Sequence, residues 1–365
     1  MAYTTIDDPS AHRHTQLYTG DGNATQAITN DANAGDFEPD WLWLKRRTAA
    51  EHHMLADSTR GAGKRIRSNT NDSEDNNGVT SFNTDGFTTL SSAVWNASSS
   101  YYVAWQWKAN GGSRTTFTES GDNPGGGYQA NTTAGFSIVD YTGTGSTGTV
   151  SHGLGAEPKV LMVKNRDATV DWGIYHRKAS SAGNDSYLEL NTTDAVATAG
   201  TVWSDTSPSS SVFTVGSNTR TNTDGQKYIA YCFAEIQGYS KFGSYTGTAN
   251  ADGPFVYTGF KPAWLMIRNI KAGEGWMLHD STVDDNGRND AGNVAGTAGN
   301  PRERRFQVNE TQAEVGTTTA FDFLSNGFKL RTDTTSHNGS GDSFIYMAFA
   351  EHPFVSSKGV PVTAE

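Results

Sequence analysis

Tyr228-Ile229-Ala230-Tyr231-Cys232-Phe233-Ala234-Glu235 returns later in the chain as Phe344-Ile345-Tyr346-Met347-Ala348-Phe349-Ala350-Glu351. Earlier, Tyr101-Tyr102-Val103-Ala104-Trp105-Gln106-Trp107 has the same aromatic character. Aromatic and β-branched residues packed this densely suit a pleated, buried surface, so each run reads as a strand. A run that recurs along a chain marks a repeated structural unit. Working outward from it, three more blocks recur in the same order.

A Tyr-Thr-Gly strand end opens each copy, at Tyr18-Thr19-Gly20, Tyr141-Thr142-Gly143 and Tyr245-Thr246-Gly247. A proline then leads into an apolar run ending in a cation: Pro39 with Trp41-Leu42-Trp43-Leu44-Lys45, Pro158 with Val160-Leu161-Met162-Val163-Lys164, and Pro262 with Trp264-Leu265-Met266-Ile267-Arg268. Proline at a strand start removes no needed ladder donor. A shorter aromatic strand follows, as His53-Met54-Leu55-Ala56-Asp57, Trp172-Gly173-Ile174-Tyr175-His176 and Trp276-Met277-Leu278-His279-Asp280. On this matching His176 and His279 are read as like positions, which favours packing over catalysis. Asp85-Gly86 and Asn326-Gly327 supply the positive φ of tight turns before the closing strands of copies one and three.

The fold class is therefore all-β: three tandem β-sandwich or jelly-roll-like repeat domains. The domains span 17–109, 136–236 and 242–352. They are flanked by an N-terminal segment, 1–16, a Gly-rich linker, 110–135, and a C-terminal tail, 353–365. The short joint Gly238-Tyr239-Ser240-Lys241-Phe242 predicts that copies two and three pack tightly. Thr48-Ala49-Ala50-Glu51 has capping-box spacing, but the repeat register overrides a helix there.

Composition narrows the function. The 365 residues carry 28 Lys and Arg against 39 Asp and Glu, a formal charge of −11. A surface this acidic does not suit phosphate backbones, so nucleic acid is not an expected partner. Two short basic clusters, Lys64/Arg65/Arg67 and Arg302/Arg304/Arg305, read as solvated surface or as contacts to an acidic neighbour. Cys232 is the one cysteine, which excludes an internal disulfide and reads as a small core residue. The polar start reads as lacking a signal peptide, and no apolar stretch suggests membrane insertion.

No motif points to catalysis. The nine histidines form no His-Glu-x-x-His pattern, and no metal or cofactor site is expected. Asp284-Asp285-Asn286-Gly287 with Asn289-Asp290 is rich in oxygen ligands but lacks a full calcium-loop pattern, so it reads as solvated loop. Trp41, Trp43, Trp105 and Trp107 read as core. Trp95 and Trp203 sit in loop-like context and are the candidate contact residues, since exposed aromatics stack on sugars or anchor interfaces.

The start Met1-Ala2-Tyr3-Thr4-Thr5-Ile6-Asp7-Asp8-Pro9-Ser10, the segment His152-Gly153-Leu154-Gly155 through Val163-Lys164-Asn165-Arg166, and the stretch Tyr228 to Gly247 resemble a further set of proteins. So do Asn326-Gly327-Phe328-Lys329-Leu330 and Ala348-Phe349-Ala350-Glu351. The resemblance is to a repeat-containing, tail-fibre-like structural protein family of marine bacteriophages, and it covers most of the chain. It implies a virion structural protein, a tail fibre or spike subunit that attaches to the particle and contacts the host cell surface. It implies tail or capsid proteins as partners, a homo-oligomer such as a trimer, and a glycan or protein on the host. It supplies no catalytic residues to carry over, and the repeat argues against a single active site, so no enzyme activity is expected. Because it precedes the first repeat, segment 1–16 is the expected virion anchor, through Tyr3, Ile6 and Pro9. Capsid decoration or a tail accessory role, and a polysaccharide-degrading tailspike, are the alternatives.

Overall fold

The computed structural model describes residues 2–31, 37–179, 185–271, 273–285, 299–316 and 319–361. The chain is all-β, with antiparallel sheets and a few one-turn helices.

Each copy builds one main sheet with the same strand order: opening, closing, central, aromatic, edge. In copy one these are Arg13–Thr19, Tyr101–Trp107, Trp41–Arg46, Met54–Asp57 and Ile66–Arg67. In copy three they are Ser240–Thr246, Ser343–Pro353, Phe260–Asn269, Trp276–Asp280 and Phe306–Gln307. Copy two has Phe136–Thr142, Lys227–Phe233, Val160–Asn165 and Gly173–His176, with Leu188 bridging Ile174 at the edge place. A small sheet accompanies each main one: Thr25–Ile28, Gly86–Leu90 and Ser81–Asn83; then Gly148–Ser151 and Val212–Val215; then Phe255–Tyr257, Gly327–Leu330 and Phe321–Leu324.

The repeated Tyr-Thr-Gly has one geometric cause. Tyr18, Tyr141 and Tyr245 stack on Tyr102, Tyr228 and Phe344 at 4.9, 5.1 and 4.8 Å. Each hydroxyl donates 2.7 Å to a backbone carbonyl, of Trp95, Thr221 and His337 respectively. The glycine that follows lies on the backbone of that same loop. A Cβ there would stand 2.2–2.3 Å from a carbonyl oxygen, of Ala97, Thr223 or Gly339.

Successive strand residues face opposite sides, so each main sheet has two apolar faces. One face closes on its own small sheet in a private cluster. The other faces of all three sheets meet in a single shared core. Trp107, Phe233 and Phe349 hold like positions on the three closing strands. Phe349 lies 5.7 Å from Trp107 and 6.0 Å from Phe233. Trp41 stacks on Tyr231 at 4.4 Å. Tyr239 and Phe242 of the short joint are buried in this core, as its aromatics predict.

The copies thus close into a ring, and each central-strand cation clasps the next copy. Lys45 Nζ donates to Thr311 O, Lys164 Nζ to Asn71 O, and Arg268 to Asp194 O. The residue two places on repeats the pattern through the backbone: Glu314 N to Arg47 O, Glu74 N to Arg166 O, and Val196 N to Ile270 O. Arg47–Glu314 and Arg166–Glu74 add ion pairs at two seams, where the third has Ile270 and Val196.

Several expectations need correction. The 110–135 stretch is not a plain linker: Thr115–Phe117 and Gly126–Asn131 extend the copy-two sheet, and Gly126 lies so close to the neighbouring strand that a Cβ would stand 2.0 Å from Asp140 O. Segment 1–16 does not lie wholly outside the first copy. Ile6 and Pro9 are buried, Thr4 donates to Gln237 O, and the opening strand starts at Arg13. His176 and His279 are not like positions. Val160 pairs with His176 as Trp264 pairs with Asp280 and Trp41 with Asp57, so His279 is one residue out of register. The basic cluster at 302–305 is not solvated, since Arg302 and Arg304 are buried and Arg304 pairs with Glu314. At Lys64/Arg65/Arg67 the cations pair with Glu74, Asp72 and Asp75. As the repeat register predicts, no helix forms at Thr48–Glu51.

Candidate functional site

Trp95 and Trp203 are buried, at 0% and 1% exposure, and cannot meet a partner. Both belong to one-turn helices, Ala93–Asn96 and Gly200–Trp203, that fold their rings inward. The Trp95 indole donates 2.8 Å to Asn77 O, and Trp203 meets Tyr175 edge-on at 5.9 Å.

Exposed aromatics occur instead on the small sheet of copy three. Phe255 is 45% and Tyr257 54% exposed, on either side of the buried Val256. Val256 pairs with Phe328 as Ile28 pairs with Phe87 and Val150 with Phe213. The positions like Phe255 and Tyr257 are therefore Ala27 and Thr29 in copy one, and Thr149 and Ser151 in copy two. Only copy three places large rings there. Gly327 permits it, because a Cβ at Gly327 would come within 2.9 Å of the Phe255 ring.

The N-terminal segment completes this face. The Tyr3 hydroxyl lies 3.2 Å from that of Tyr257 and donates 2.8 Å to Gly259 O. The Tyr3 ring meets Phe354 edge-on at 6.4 Å. Burial, then the Tyr257 hydroxyl, raises the Tyr3 phenol above its ordinary value, so it stays protonated and donating. Ion pairs border the rings: Lys329, the register partner of Phe255, with Asp252 at 2.8 Å, and Arg331 with Asp322 at 2.5 Å. Of the three residues expected to anchor the protein, Tyr3 reaches this face while Ile6 and Pro9 hold the segment onto the ring. Apolar rings framed by charged pairs can stack on or wedge into a partner surface.

A second feature lies where copy three meets copy one. A cavity of about 290 Å³ is lined by Ser10, Arg13, His14, Thr15, Ser281, Thr282 and Glu351, with Ala263 and Ala350. Arg13 donates to Asp280 at 2.7 Å, yet among the described residues its buried Nε has no partner, nor does Glu351 Oε2.

The other sequence candidates are packing groups. His176 bonds Tyr346 O across the seam between copies two and three at 3.1 Å, and burial lowers its pKa to about 4. His53, burial-lowered too, accepts from the Trp43 indole at 3.0 Å. Asp284 is no solvated loop residue. It is buried on the short helix Ser281–Asp285, accepts from Arg304 N, and burial raises its carboxyl to about 7. The remaining oxygen-rich positions, Asn286, Gly287, Asn289 and Asp290, lie outside the described residues. Among the described residues no group of three His, Cys, Asp or Glu could hold a metal, and no helix is long and apolar enough to cross a membrane.

The chain belongs to the family described as Domain of unknown function (DUF7483), whose profile matches residues 8–353. No curated protein and no solved structure matches it.

Proposed function

We propose that this protein is a bacteriophage virion structural component, a tail fibre or spike subunit that works by binding and not by catalysis. The observation that carries the reading is the aromatic face of Tyr3, Phe255, Tyr257 and Phe354. It is built on one copy only, on a ring whose like positions elsewhere are small or polar. A rigid body with a shared aromatic core holds such a face in place without ordering cost, which suits an attachment part. Within this reading the face contacts the host surface, a glycan or a protein, while other virion proteins hold the body.

Immunogold labelling of intact particles tests the location, and label absent from virions removes the reading. Capsid label without tail label favours the decoration alternative. Purified protein should bind host envelope, and Phe255→Ser with Tyr257→Ser should lower that binding at unchanged melting temperature. Sugar release from envelope by the purified protein would instead support a degrading tailspike.

A further inference from the structure

The three seams of the ring serve as internal controls for one another, and one of them is left incomplete. At the seam of copies one and two, Ser58 and Thr59 follow Asp57 on the aromatic strand. The Gln129 side chain covers both: its Nε2 donates to Ser58 Oγ at 3.1 Å and Thr59 Oγ1 at 2.8 Å. Asp40 accepts from Ser58 at 2.7 Å and closes the network. Gln129 arrives on Gly126–Asn131, the strand added to the free edge of the copy-two opening strand, where it pairs with Ile138.

The seam of copies three and one has the same frame without the added strand. Ser281 and Thr282 follow Asp280 as Ser58 and Thr59 follow Asp57, and Ala263 stands at the place of Asp40. The cavity of about 290 Å³ opens there, with Arg13 Nε and Glu351 Oε2 unpartnered among the described residues. Thr15 holds the place of Ile138. Lys108 N donates to His12 O and Gly20 N to Ser100 O, so even-numbered residues bond the closing strand and odd-numbered ones face outward. Among the described residues no strand pairs with this outward edge of Arg13–Thr19. The side-chain amides of Gln16 and Gln26 donate to Leu17 O at 2.8 Å and Thr19 O at 2.9 Å, where an added strand would place its N–H groups. Among the described residues copy three also has an uncovered opening strand, but Arg177 and Lys178 replace the hydroxyl pair at its seam.

We propose that the edge Arg13–Thr19 accepts an extended strand from a neighbouring polypeptide, and that a carboxamide side chain of that strand fills the cavity between Arg13, Ser281 and Glu351. Strand addition draws affinity from the backbone and selectivity from side-chain pockets, and an uncovered edge is its template. The carboxamide both donates and accepts, as a site with a guanidinium N–H and a carboxylate oxygen requires. Under the assembly reading above, on which this rests, the neighbour is another virion chain.

The probe is a synthetic peptide of residues 124–131 of this chain, Pro-Gly-Gly-Gly-Tyr-Gln-Ala-Asn, added to the full-length protein. Thr142 N bonds Gly125 O in copy two, and Thr19 is the residue like Thr142. A Thr19→Cys protein should therefore form a disulfide with the peptide carrying Gly125→Cys. It should not do so with Cys at 126, since a one-residue slip turns the side chain to the other face. Thr19 is exposed, so this variant keeps the fold. Gln129→Ala in the peptide should weaken binding about fivefold, the scale of one buried hydrogen bond. Equal cross-linking at 125 and 126, no cross-link at all, or an unchanged affinity for the alanine peptide would each overturn the proposal. The assay uses no virions or envelope, so its failure leaves the proposed function standing, whereas label absent from virions removes the virion neighbour without touching the cross-linking result.

Discussion

Replacing Glu74 with alanine tests whether the ring is one thermodynamic unit. Glu74 sits in copy one but accepts two hydrogen bonds from Arg166 of copy two, at 2.9 and 3.0 Å, and one from Arg60 at 3.3 Å. Its side chain is 9% exposed, Arg166 15% and Arg60 0%. Breaking a buried pair by removing one partner costs about 3–5 kcal/mol, because a charge is left without compensation. Arg60 keeps Asp57 at 2.5 Å, and Arg166 has some access to water. We therefore expect the lower end, about 3 kcal/mol. Urea unfolding followed by tryptophan fluorescence reads it directly, since every large aromatic of the shared core reports on the same event. The whole transition should shift, with an unchanged m-value, because copy three packs on the same core. A control at Lys271, an exposed side chain paired with Asp342, should cost under about 1 kcal/mol on Lys271→Ala. A biphasic curve in which only part of the amplitude moves, or a shift below about 1 kcal/mol, would refute the reasoning.

Other outcomes follow from the same geometry. Burial lowers Lys45 and Lys164 from 10.5 to about 8. Between those values the unfolded chain holds more protons, so stability should rise with pH from about 8 to 10.5, and Lys164→Met should flatten that rise in urea midpoints. Burial lowers His176 to about 4 and His337 to about 3, from 6.5, so their contribution is present above 6.5 and is lost as pH falls toward 4. Acid titration by near-ultraviolet circular dichroism should show that loss, and His176→Gln should reduce it. Gly143→Ala should destabilise strongly, with a melting temperature several degrees lower, because its Cβ would meet Thr223 O at 2.2 Å. Cys232, its thiol raised by burial to about 12, should resist alkylation in the folded protein and react after unfolding.

The repeat and its strands were legible because pleated, buried runs carry their own composition. The Tyr-Thr-Gly signature proved to mark a stacked ring, a hydroxyl bond and a close backbone approach in every copy. Ring closure was not legible: nothing local distinguishes the face of Trp41 that meets its own small sheet from the face that meets Tyr231. The buried ends of Lys45, Lys164 and Arg268 looked like strand terminations, since their acceptors lie in a different copy. Trp95 and Trp203 misled because a loop context was taken for exposure, whereas one-turn helices turn both rings inward. Phe255 and Tyr257 were visible in principle. Setting Phe255-Val256-Tyr257 beside Ala27-Ile28-Thr29 and Thr149-Val150-Ser151 isolates them, but those short strands align only once their cross-strand partners are known.

The strand Ser343–Pro353 runs between the opening and central strands of copy three, in the middle of its sheet. During synthesis the first two copies emerge with one wall of the common core missing, and Trp41, Trp107 and Phe233 face water across that gap. Neither the third sheet nor the ring can close until residue 353 has left the ribosome. The nascent chain therefore carries this sticky surface from the synthesis of Phe233 to that of Pro353, and the arrival of the last strand is the event that hides it.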